Sequence, residues 1–152
     1  MIKVMFDSNV FDLVKEDIPL LRKWNTEIEV YVTSVQIEEL KSIPDAKKAV
    51  REMNLMALEQ LSPECLATIF TFDRIDFSYF SFQSNVSYGK ILKESKSNIN
   101  DAIIGATAIH EGCILITNDT ELFKKVNKAK AGSAMNYTDF CATYLTATDG
   151  KR

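Results

Sequence analysis

Carboxylates at several separate places in the sequence are the side chains best suited to do chemistry. Asp7 directly follows a short apolar segment, Asp119 follows the segment 113–117 after Asn118, and Asp101 stands before a run of small residues. Glu38 and Glu39 form an acidic pair between Asp7 and Asp101 in the sequence. No histidine, cysteine or serine nucleophile with a plausible base accompanies these acids. These acids therefore favour a reaction in which carboxylates are the functional groups and no side-chain nucleophile takes part.

Carboxylates that lie close together repel one another, and their pKa values rise unless a cation neutralises them. Oxygen ligands together with water suit a hard divalent ion such as Mg²⁺ or Mn²⁺. Such ions usually act on phosphate oxygens, where one ion activates a water and another stabilises the leaving oxygen. If the fold gathers these acids, the sequence predicts metal-dependent chemistry on phosphate.

Each acid also has a structural interpretation. Asp7 and Asp119 are well suited to cap the helices that follow them, and the helix dipole would favour Asp101 in a first helical turn. Glu38 and Glu39 are suited to a solvated helix face. All of these structural roles would have to coincide at one place, so the set as a whole favours a functional site.

The segments that must position these acids alternate between strand and helix patterns. Strands are predicted at residues 2–6, 29–33, 65–72 and 113–117, and near 134–135. Residues 10–24 predict one helix, or two that are interrupted near Pro19. Further helices are predicted at residues 45–61, 86–96, 101–111 and 121–128, and around 140–145 with Thr138 as its cap. The pattern at residues 73–84 indicates a loop or edge structure.

The alternation predicts an α/β fold, a three-layer α/β/α sandwich with a mainly parallel central sheet. It forms a single domain over residues 1–147, followed by a short polar tail at 148–152. In open parallel sheets, ligands bind outside the carboxyl ends of the strands. Asp7 and Asp119 would lie at two such ends, and the helix at 101–111 would begin at Asp101 beside them. The acids therefore converge on one edge of the predicted sheet.

Glu38 and Glu39 lie early in a helix that follows the second strand and is capped by Thr33 or Ser34. Periodicity does not choose between the two glutamates. At about 100° per residue, each lies about 130° from the midpoint of the inner face that Ile37 and Leu40 mark. Either glutamate fits the site on this evidence.

Two other helices carry patterns that predict their packing. The helix at 101–111 ends at Gly112 as a C-terminal cap, and its small residues let it press closely on the sheet. These small residues are Ala102, Gly105, Ala106 and Ala108. In the segment 45–61, apolar residues recur at helical spacing at Val50, Met53, Ala57 and Leu61.

Composition and charge limit the class of function. The chain has 152 residues, with 21 acidic against 18 basic residues, a net charge of −3 and a pI near 5.2. A domain that grips nucleic acid by bulk charge usually has a pI above about 9. Any action on nucleic acid would therefore depend on a local site.

The cysteines Cys65, Cys113 and Cys141 are widely spaced and form no CxxC motif. They predict buried, reduced thiols without disulfide or zinc. The sequence shows neither a signal-peptide core nor the roughly 18 apolar residues of a membrane span, so we expect a soluble cytoplasmic protein.

Three segments resemble the PIN-domain ribonucleases, a family that includes the VapC toxins of toxin–antitoxin pairs. Residues 5–11, with Asp7 and Asn9, resemble the family's opening strand and its Asp-x-Asn turn. Residues 33–40 are similar to its Ser…Glu-Leu helix, which favours Glu39 as the second acid. Residues 100–119, from Asn100-Asp101 to Thr117-Asn118-Asp119, resemble its Asp-led helix, buried strand and Thr-x-Asp ending.

The resemblance implies a metal-dependent endoribonuclease in which a metal-activated water attacks the RNA phosphodiester. Asp7 and Asp101 would be the principal ligands of Mg²⁺ or Mn²⁺, and Glu39 and Asp119 would complete the acidic pocket directly or through waters. Asn9 and Thr117 would orient those carboxylates or the water. These four acids are the catalytic residues on this interpretation.

The same resemblance implies RNA as substrate, a homodimer, and a small antitoxin protein as partner. The alternative is a PIN-like binding or scaffold module that does not catalyse. All four acids are present, which argues against a degenerate pocket.

Several other residues keep two interpretations. The lysines on either side of the site could hold RNA phosphates or lie on solvated helix faces, and RNA-binding residues are not assigned. They are Lys90, Lys93, Lys96, Lys124, Lys125, Lys128 and Lys130. His110, the single histidine, fits a structural or surface role better than a general base. Trp24 and the aromatic residues of 70–82 fit core or interface better than base stacking.

Overall fold

The computed structural model describes residues 1–23, 26–68 and 97–145, with side chains for all of these except 97–99. The strands are β1 (Ile2–Phe6), β2 (Ile28–Thr33), β3 (Glu64–Leu66), β4 (Ile114–Ile116) and β5 (Ala134–Met135). The helices are α1 (Phe11–Lys23), α2 (Ser34–Lys41), α3 (Lys48–Leu61), α4 (Ser97–Glu111), α5 (Thr120–Lys128) and α6 (Tyr137–Phe140). Short 3₁₀ turns at Ser8–Val10 and Asp45–Lys47 precede α1 and α3, and a π-helical turn at Cys141–Leu145 follows α6.

The described strands form one parallel sheet in the order β3-β2-β1-β4-β5. β1 lies at the centre, where Met5 pairs with Tyr31 of β2 and with Leu115 of β4. Strands that are hydrogen-bonded on both sides and covered on both faces need a continuous apolar sequence, and residues 4–6 of β1 supply one. Its bounds agree with the sequence prediction for residues 2–6.

Helices cover both faces of the sheet. Val4 and Phe6 of β1 point to a cluster that contains residues of α1, α3 and α6, whereas Met5 points to a cluster with residues of α4 and α5. This division follows from the alternation of side chains along a strand. On the first face, Phe6 makes edge-on ring contacts with Phe11 and Phe140, with ring centroids 6.4 and 5.5 Å apart. The predicted α/β/α sandwich with a parallel sheet is confirmed.

A capping box begins α2 and ties it to the centre of the sheet. Thr33 caps the helix through its hydroxyl, which accepts from the Val35 N–H at 3.2 Å. The Gln36 side chain reaches back to the Thr33 N–H at 2.6 Å and donates to the Phe6 carbonyl at 3.1 Å. Gln36 is completely buried, so these contacts fix α2 against the end of β1.

Helix α1 runs through Pro19 without interruption, so it is the single helix of the two arrangements that the sequence left open. A proline inside a helix removes one backbone hydrogen bond, here the one to the carbonyl of Lys15. Burial of Phe11, Val14, Ile18 and Leu21 along one face compensates for that loss.

Helix α4 begins four residues earlier than predicted, at Ser97 rather than Asp101. Residues 97–100, which lie between the two predicted helices at 86–96 and 101–111, form its first turn. Asp101 therefore lies inside the helix, and its interpretation as a first-turn acid is wrong. Gly112 ends α4 as expected, with φ at 68° in the left-handed region.

Two details of the remaining helices also differ. In α3 the buried residues are Asn54 and Ala57, whereas Val50 and Met53 are exposed. The face of α3 that packs on the core is therefore rotated relative to the face that the apolar spacing predicts. The last helix is capped by Asn136 and not by Thr138, since the Asn136 Oδ1 accepts from the Asp139 N–H at 2.8 Å.

The three cysteines are free thiols, but only Cys113 is buried. Cys65 is exposed because it lies on β3 at the edge of the described sheet, and Cys141 is partly buried. The prediction of three buried thiols was therefore wrong for Cys65. Burial raises the pKa of Cys113 to about 11.

Several predictions lie wholly or partly outside the described residues. These are Trp24, the end of the strand at 65–72, the segment 73–84 with its aromatic residues, the helix at 86–96 with its lysines, and the tail at 148–152. Within the described ranges, none of the helices has the length and apolar character needed to cross a membrane.

Candidate active site

The carboxyl edge of the sheet brings together residues from distant parts of the chain. The Asp7 N–H donates to the Ile116 carbonyl at 3.0 Å, which extends the pairing of β1 with β4 by one residue. The Thr117 N–H donates in turn to the Met135 carbonyl of β5, also at 3.0 Å. Asp7 and Thr117 therefore lie side by side at the strand ends.

Asp7 is the buried carboxylate of the site, with 3% of its surface exposed. Its Oδ2 accepts from the Thr117 hydroxyl at 2.7 Å and from the Asn9 amide at 2.8 Å. Its Oδ1 accepts from the Ser8 N–H at 2.8 Å, which caps the 3₁₀ turn. A carboxylate oxygen has two lone pairs. Oδ1 therefore keeps one for a ligand, while Oδ2 is saturated.

The Thr117 hydroxyl organises this end of the sheet. It donates to Asp7 and accepts from the Asp119 N–H at 3.0 Å and the Asn9 amide at 3.3 Å. One donor and two acceptor positions are all that a hydroxyl has. The Asn9 Oδ1 also accepts from the Asn118 N–H at 3.2 Å. Thr117 and Asn9 thus both hydrogen-bond the Asp7 carboxylate.

Glu39, and not Glu38, faces the site. The Ser8 hydroxyl donates to one of its carboxylate oxygens at 2.6 Å, and the Asn100 amide donates to the other at 3.0 Å. Glu38 is exposed and pairs with Lys41 at 3.4 Å. The capped start of α2 sets this rotation, which periodicity alone had left open.

Asp119 caps a helix, and it also lies close enough to the other acids to affect them. Its Oδ1 caps α5 by accepting from the N–H groups of Glu121 and Leu122 at 2.8 and 2.9 Å. Its charge also acts on Asp7 and Asp101, whose pKa values it raises. One oxygen of the carboxylate therefore holds the helix, and the other has no donor among the described residues.

Asp101 lies in the second turn of α4 and is partly buried. Among the described residues, no hydrogen-bond donor pairs with its carboxylate. Its pKa is raised to about 6, chiefly by burial and in addition by the charges of Asp7, Asp119 and Glu39, while the charge of Lys125 opposes the shift. Within the part of the chain that the structure describes, Asp101 is thus a carboxylate without a hydrogen-bond donor, and three like charges act on it.

The pKa of Asp7 is also raised to about 6, chiefly by burial. The hydrogen bonds from Thr117 and Ser8 work against that shift, and the charges of Glu39 and Asp119 add to it. The four acids are therefore close enough to influence one another electrostatically. Such mutual repulsion is what a bound cation relieves.

The chemistry of these acids fits the binding of a hard divalent cation. The carboxylate oxygens that still have free lone pairs belong to Asp7, Asp101, Glu39 and Asp119. The carboxylates are not close enough together to form a complete coordination shell by themselves. Within the described ranges, no three Asp, Glu, His or Cys side chains are placed so that they could hold one ion together. An ion at this edge would therefore take part of its shell from water, as Mg²⁺ commonly does.

Sequence reasoning missed three residues that hold the acids in place: Ser8, Gln36 and Asn100. Each has a signal in the sequence. Ser8 lies inside the Asp-Ser-Asn turn, and Asn100 directly precedes Asp101. The spacing of Thr33 and Gln36 is that of a capping box, in which the second residue is Glu or Gln.

The other candidates lie around this edge. Lys124, Lys128 and Lys130 are exposed, and Lys124 pairs with Glu121 at 3.4 Å. Lys125 is partly buried, and its charge reaches Asp101. His110 is exposed and contacts Glu111 at 3.2 Å, so a surface position is what the structure shows for it.

Comparisons with known proteins agree with this architecture. A family model for the PIN domain matches residues 4–129. A comparison with curated proteins finds no match. Among solved structures, the chain is similar to VapBC2 from Rickettsia felis bound to a DNA fragment from their promoter. The TM-score is 0.54 and the identity 18%, over 90% of this chain and 99% of that one. That identity shows the fold alone, but the family model spans most of the sequence, and the chain belongs to the PIN domain family.

Proposed function

We propose that the chain is a metal-dependent endoribonuclease that hydrolyses RNA phosphodiester bonds. PIN domains are generally nucleases, which supports the reaction class. The observation that carries the proposal is the buried Asp7 carboxylate, held by three donors with one lone pair left over, beside three further acids.

Asp7 and Asp101 would hold Mg²⁺ or Mn²⁺, with Glu39 and Asp119 acting directly or through waters. The bound ion supplies an activated water and stabilises charge on the phosphate oxygens. The chain's own residues do the positioning. Thr117 and Asn9 fix Asp7, Ser8 and Asn100 fix Glu39, and the first turn of α5 fixes Asp119. Such preorganisation keeps the acids in place before substrate arrives.

We also propose that the chain is the toxin of a toxin–antitoxin pair, forms a homodimer and has a small antitoxin partner. The similar structure from Rickettsia felis is a VapBC complex on promoter DNA, which supports a partner of this kind. This part of the proposal is independent of the chemistry at Asp7.

Cleavage of RNA by single variants tests the nuclease. Asp101→Asn and Glu39→Gln each remove one charge at the site, and we expect RNA cleavage in Mn²⁺ to fall at least about 100-fold. Glu38→Gln is the matched control, since Glu38 is the neighbouring glutamate on the exposed side. EDTA should abolish cleavage by the unaltered chain. Full activity of Asp101→Asn, or equal losses for the two glutamate variants, would contradict the proposal.

A scaffold module without catalysis is the second candidate. It is favoured by one observation, that the described acids are not placed to hold one ion together. Thermal unfolding with and without millimolar Mn²⁺ separates the two candidates. A nuclease is stabilised, because ion binding to the folded state adds to its free energy of unfolding. An unchanged melting temperature together with absent RNA cleavage would favour the scaffold.

A further inference from the structure

Two hollows lie on opposite sides of the acidic site. One has a volume of about 310 Å³ and is bordered by Val35, Glu38, Glu39 and Asn100. The other has a volume of about 330 Å³ and is bordered by Thr117, Asn118, Asp119 and Phe123. Both volumes are at the lower end of the range for small-molecule pockets, roughly 300–1,000 Å³. Each hollow shares an acid with the site, so a strand that crosses the site would meet both.

Phe123 is a partly exposed aromatic ring that the core does not use. On α5, Leu122 and Val126 lie four residues apart and are buried against α4 and the sheet. Phe123 is about 100° further round the helix than Leu122. Among the described residues it belongs to neither of the two apolar clusters. Its ring borders the 330 Å³ hollow instead.

Asn118 borders the same hollow with a fixed amide. Its Oδ1 accepts from the Tyr137 N–H at 3.2 Å, which sets the orientation of the side chain. The Nδ2 group has no partner among the described residues and remains available as a donor. The neighbouring Asn136 differs, because both ends of its amide are bonded to Asp139 at 2.8 Å. The hollow therefore combines one aromatic face with one oriented donor.

We propose that this hollow binds an unpaired nucleobase of the RNA substrate, with the base stacked on Phe123 and an acceptor on its edge facing Asn118. The inference rests on the proposed ribonuclease function and names the recognition element of that same site. An aromatic ring beside an amide donor is the usual means of holding a splayed-out RNA base. Because Asp119 borders both the hollow and the acids, the base belongs to a nucleotide next to the scissile phosphate.

The opposite hollow is chemically different. It is bordered by Glu38 and Glu39, and no aromatic residue is among the described side chains that border it. Its negative charge disfavours a phosphate backbone, and it lacks a stacking surface. The difference between the two hollows thus places the recognised base on the α5 side of the site.

Binding to RNA with single missing bases tests the proposal. A short single-stranded RNA that the chain cuts at one mapped bond is remade with an abasic nucleotide at each position in turn. The affinity of each of these RNAs is measured for the Asp101→Asn protein, which does not cut RNA, and for the double variant that also carries Phe123→Leu. We expect one abasic position next to the cut to weaken binding about ten-fold, and Phe123→Leu to remove that difference. Phe123→Trp keeps a ring and should keep the difference.

Val35→Ala is the matched control, since Val35 is the partly buried apolar residue of the opposite hollow. It should leave the abasic pattern unchanged. An abasic pattern that is the same in Phe123→Leu as in its parent, or one that changes with Val35→Ala instead, would overturn the proposal. In those cases the unaltered chain still cuts the RNA, and the proposed ribonuclease function is not affected. Failure to bind or cut any RNA would overturn both, and melting curves of each variant verify that it is folded.

Discussion

At the residue scale, the raised pKa values of Asp7 and Asp101 predict how stability depends on pH. Both are raised from 3.8 to about 6, chiefly by burial. The folded chain thus holds these protons more tightly than the unfolded chain. Their contribution to stability is complete below about pH 3.8 and is lost as the pH rises through 6. Without metal, melting temperatures should therefore fall as the pH rises from about 4 to about 6.5.

Metal should reverse this trend, because an ion binds the deprotonated carboxylates. The melting temperature is measured in EDTA and in Mn²⁺ across the same pH range. We expect the stabilisation by Mn²⁺ to grow above pH 6. Asp101→Asn should flatten the decline in EDTA. A metal-free chain whose melting temperature rises steadily across that range would contradict the assigned shifts.

The acids themselves could be predicted from the sequence, but their exact partners could not. Asp7 and Asp119 follow apolar segments, and strand ends are readable from such segments. The choice between Glu38 and Glu39 depends on helix rotation, which is fixed by contacts of Gln36 with Phe6 and Thr33. Those contacts join three elements and are invisible to periodicity. The capping interpretation of Asp119 is confirmed and leaves room for the functional one, since only one of its carboxylate oxygens is bonded to the helix.

At the element scale, the close turn between α5 and β5 predicts a strong effect of one methyl group. A Cβ at Gly132 would lie 1.9 Å from the Val126 carbonyl oxygen, so the backbone would have to move. We expect Gly132→Ala to destabilise the fold by about 2 kcal/mol or more, measured by chemical unfolding.

Gly112→Ala is the comparison for this change. Gly112 has φ at 68° but no heavy atom of the described chain within 4 Å of the added Cβ. Its cost is limited to left-handed strain, about 1 kcal/mol. A smaller loss for Gly132→Ala than for Gly112→Ala would show that the α5–β5 turn is looser than described.

Element types were predictable because apolar runs and helical periods are local signals. Helix boundaries were less so. Residues 97–100 are polar except for Ile99, and such a sequence is typical of a turn, yet they form the first turn of α4. The sequence left a break at Pro19 open, and tertiary burial of one face of α1 outweighs its lost hydrogen bond. Val50 and Met53 match a helical period but lie on the exposed side of α3, because packing on α1 selects Asn54 and Ala57.

At the scale of the whole molecule, the net charge of −3 is largely a property of the site. Without the four carboxylates, 17 acidic residues stand against 18 basic ones. The remaining surface is therefore close to neutral. A bound divalent ion would reverse the sign of the potential where phosphate must approach.

Near neutrality predicts a weak dependence of RNA binding on salt. Each phosphate neutralised on a single strand contributes about −0.7 to the slope of log affinity against log salt. With Lys125 as the described lysine whose charge reaches the site, we expect a slope no steeper than about −2. Binding of a short RNA to Asp101→Asn protein across a salt series measures it. A slope near −5 would instead indicate an extended basic track.

The hydrogen bonding of the sheet continues into the residues of the acidic site. The amides of Asp7 and Thr117 continue the hydrogen bonding of β1 and β4 through bonds of 3.0 Å to Ile116 and Met135. The backbone at Asp7 and Thr117 is therefore part of the hydrogen-bonded sheet. We expect the amide protons at these two positions to exchange with solvent slowly, because they are exposed only when the strand ends separate. The proposed nuclease would then be inhibited by a ligand that covers the site rather than by local loosening of these strand ends.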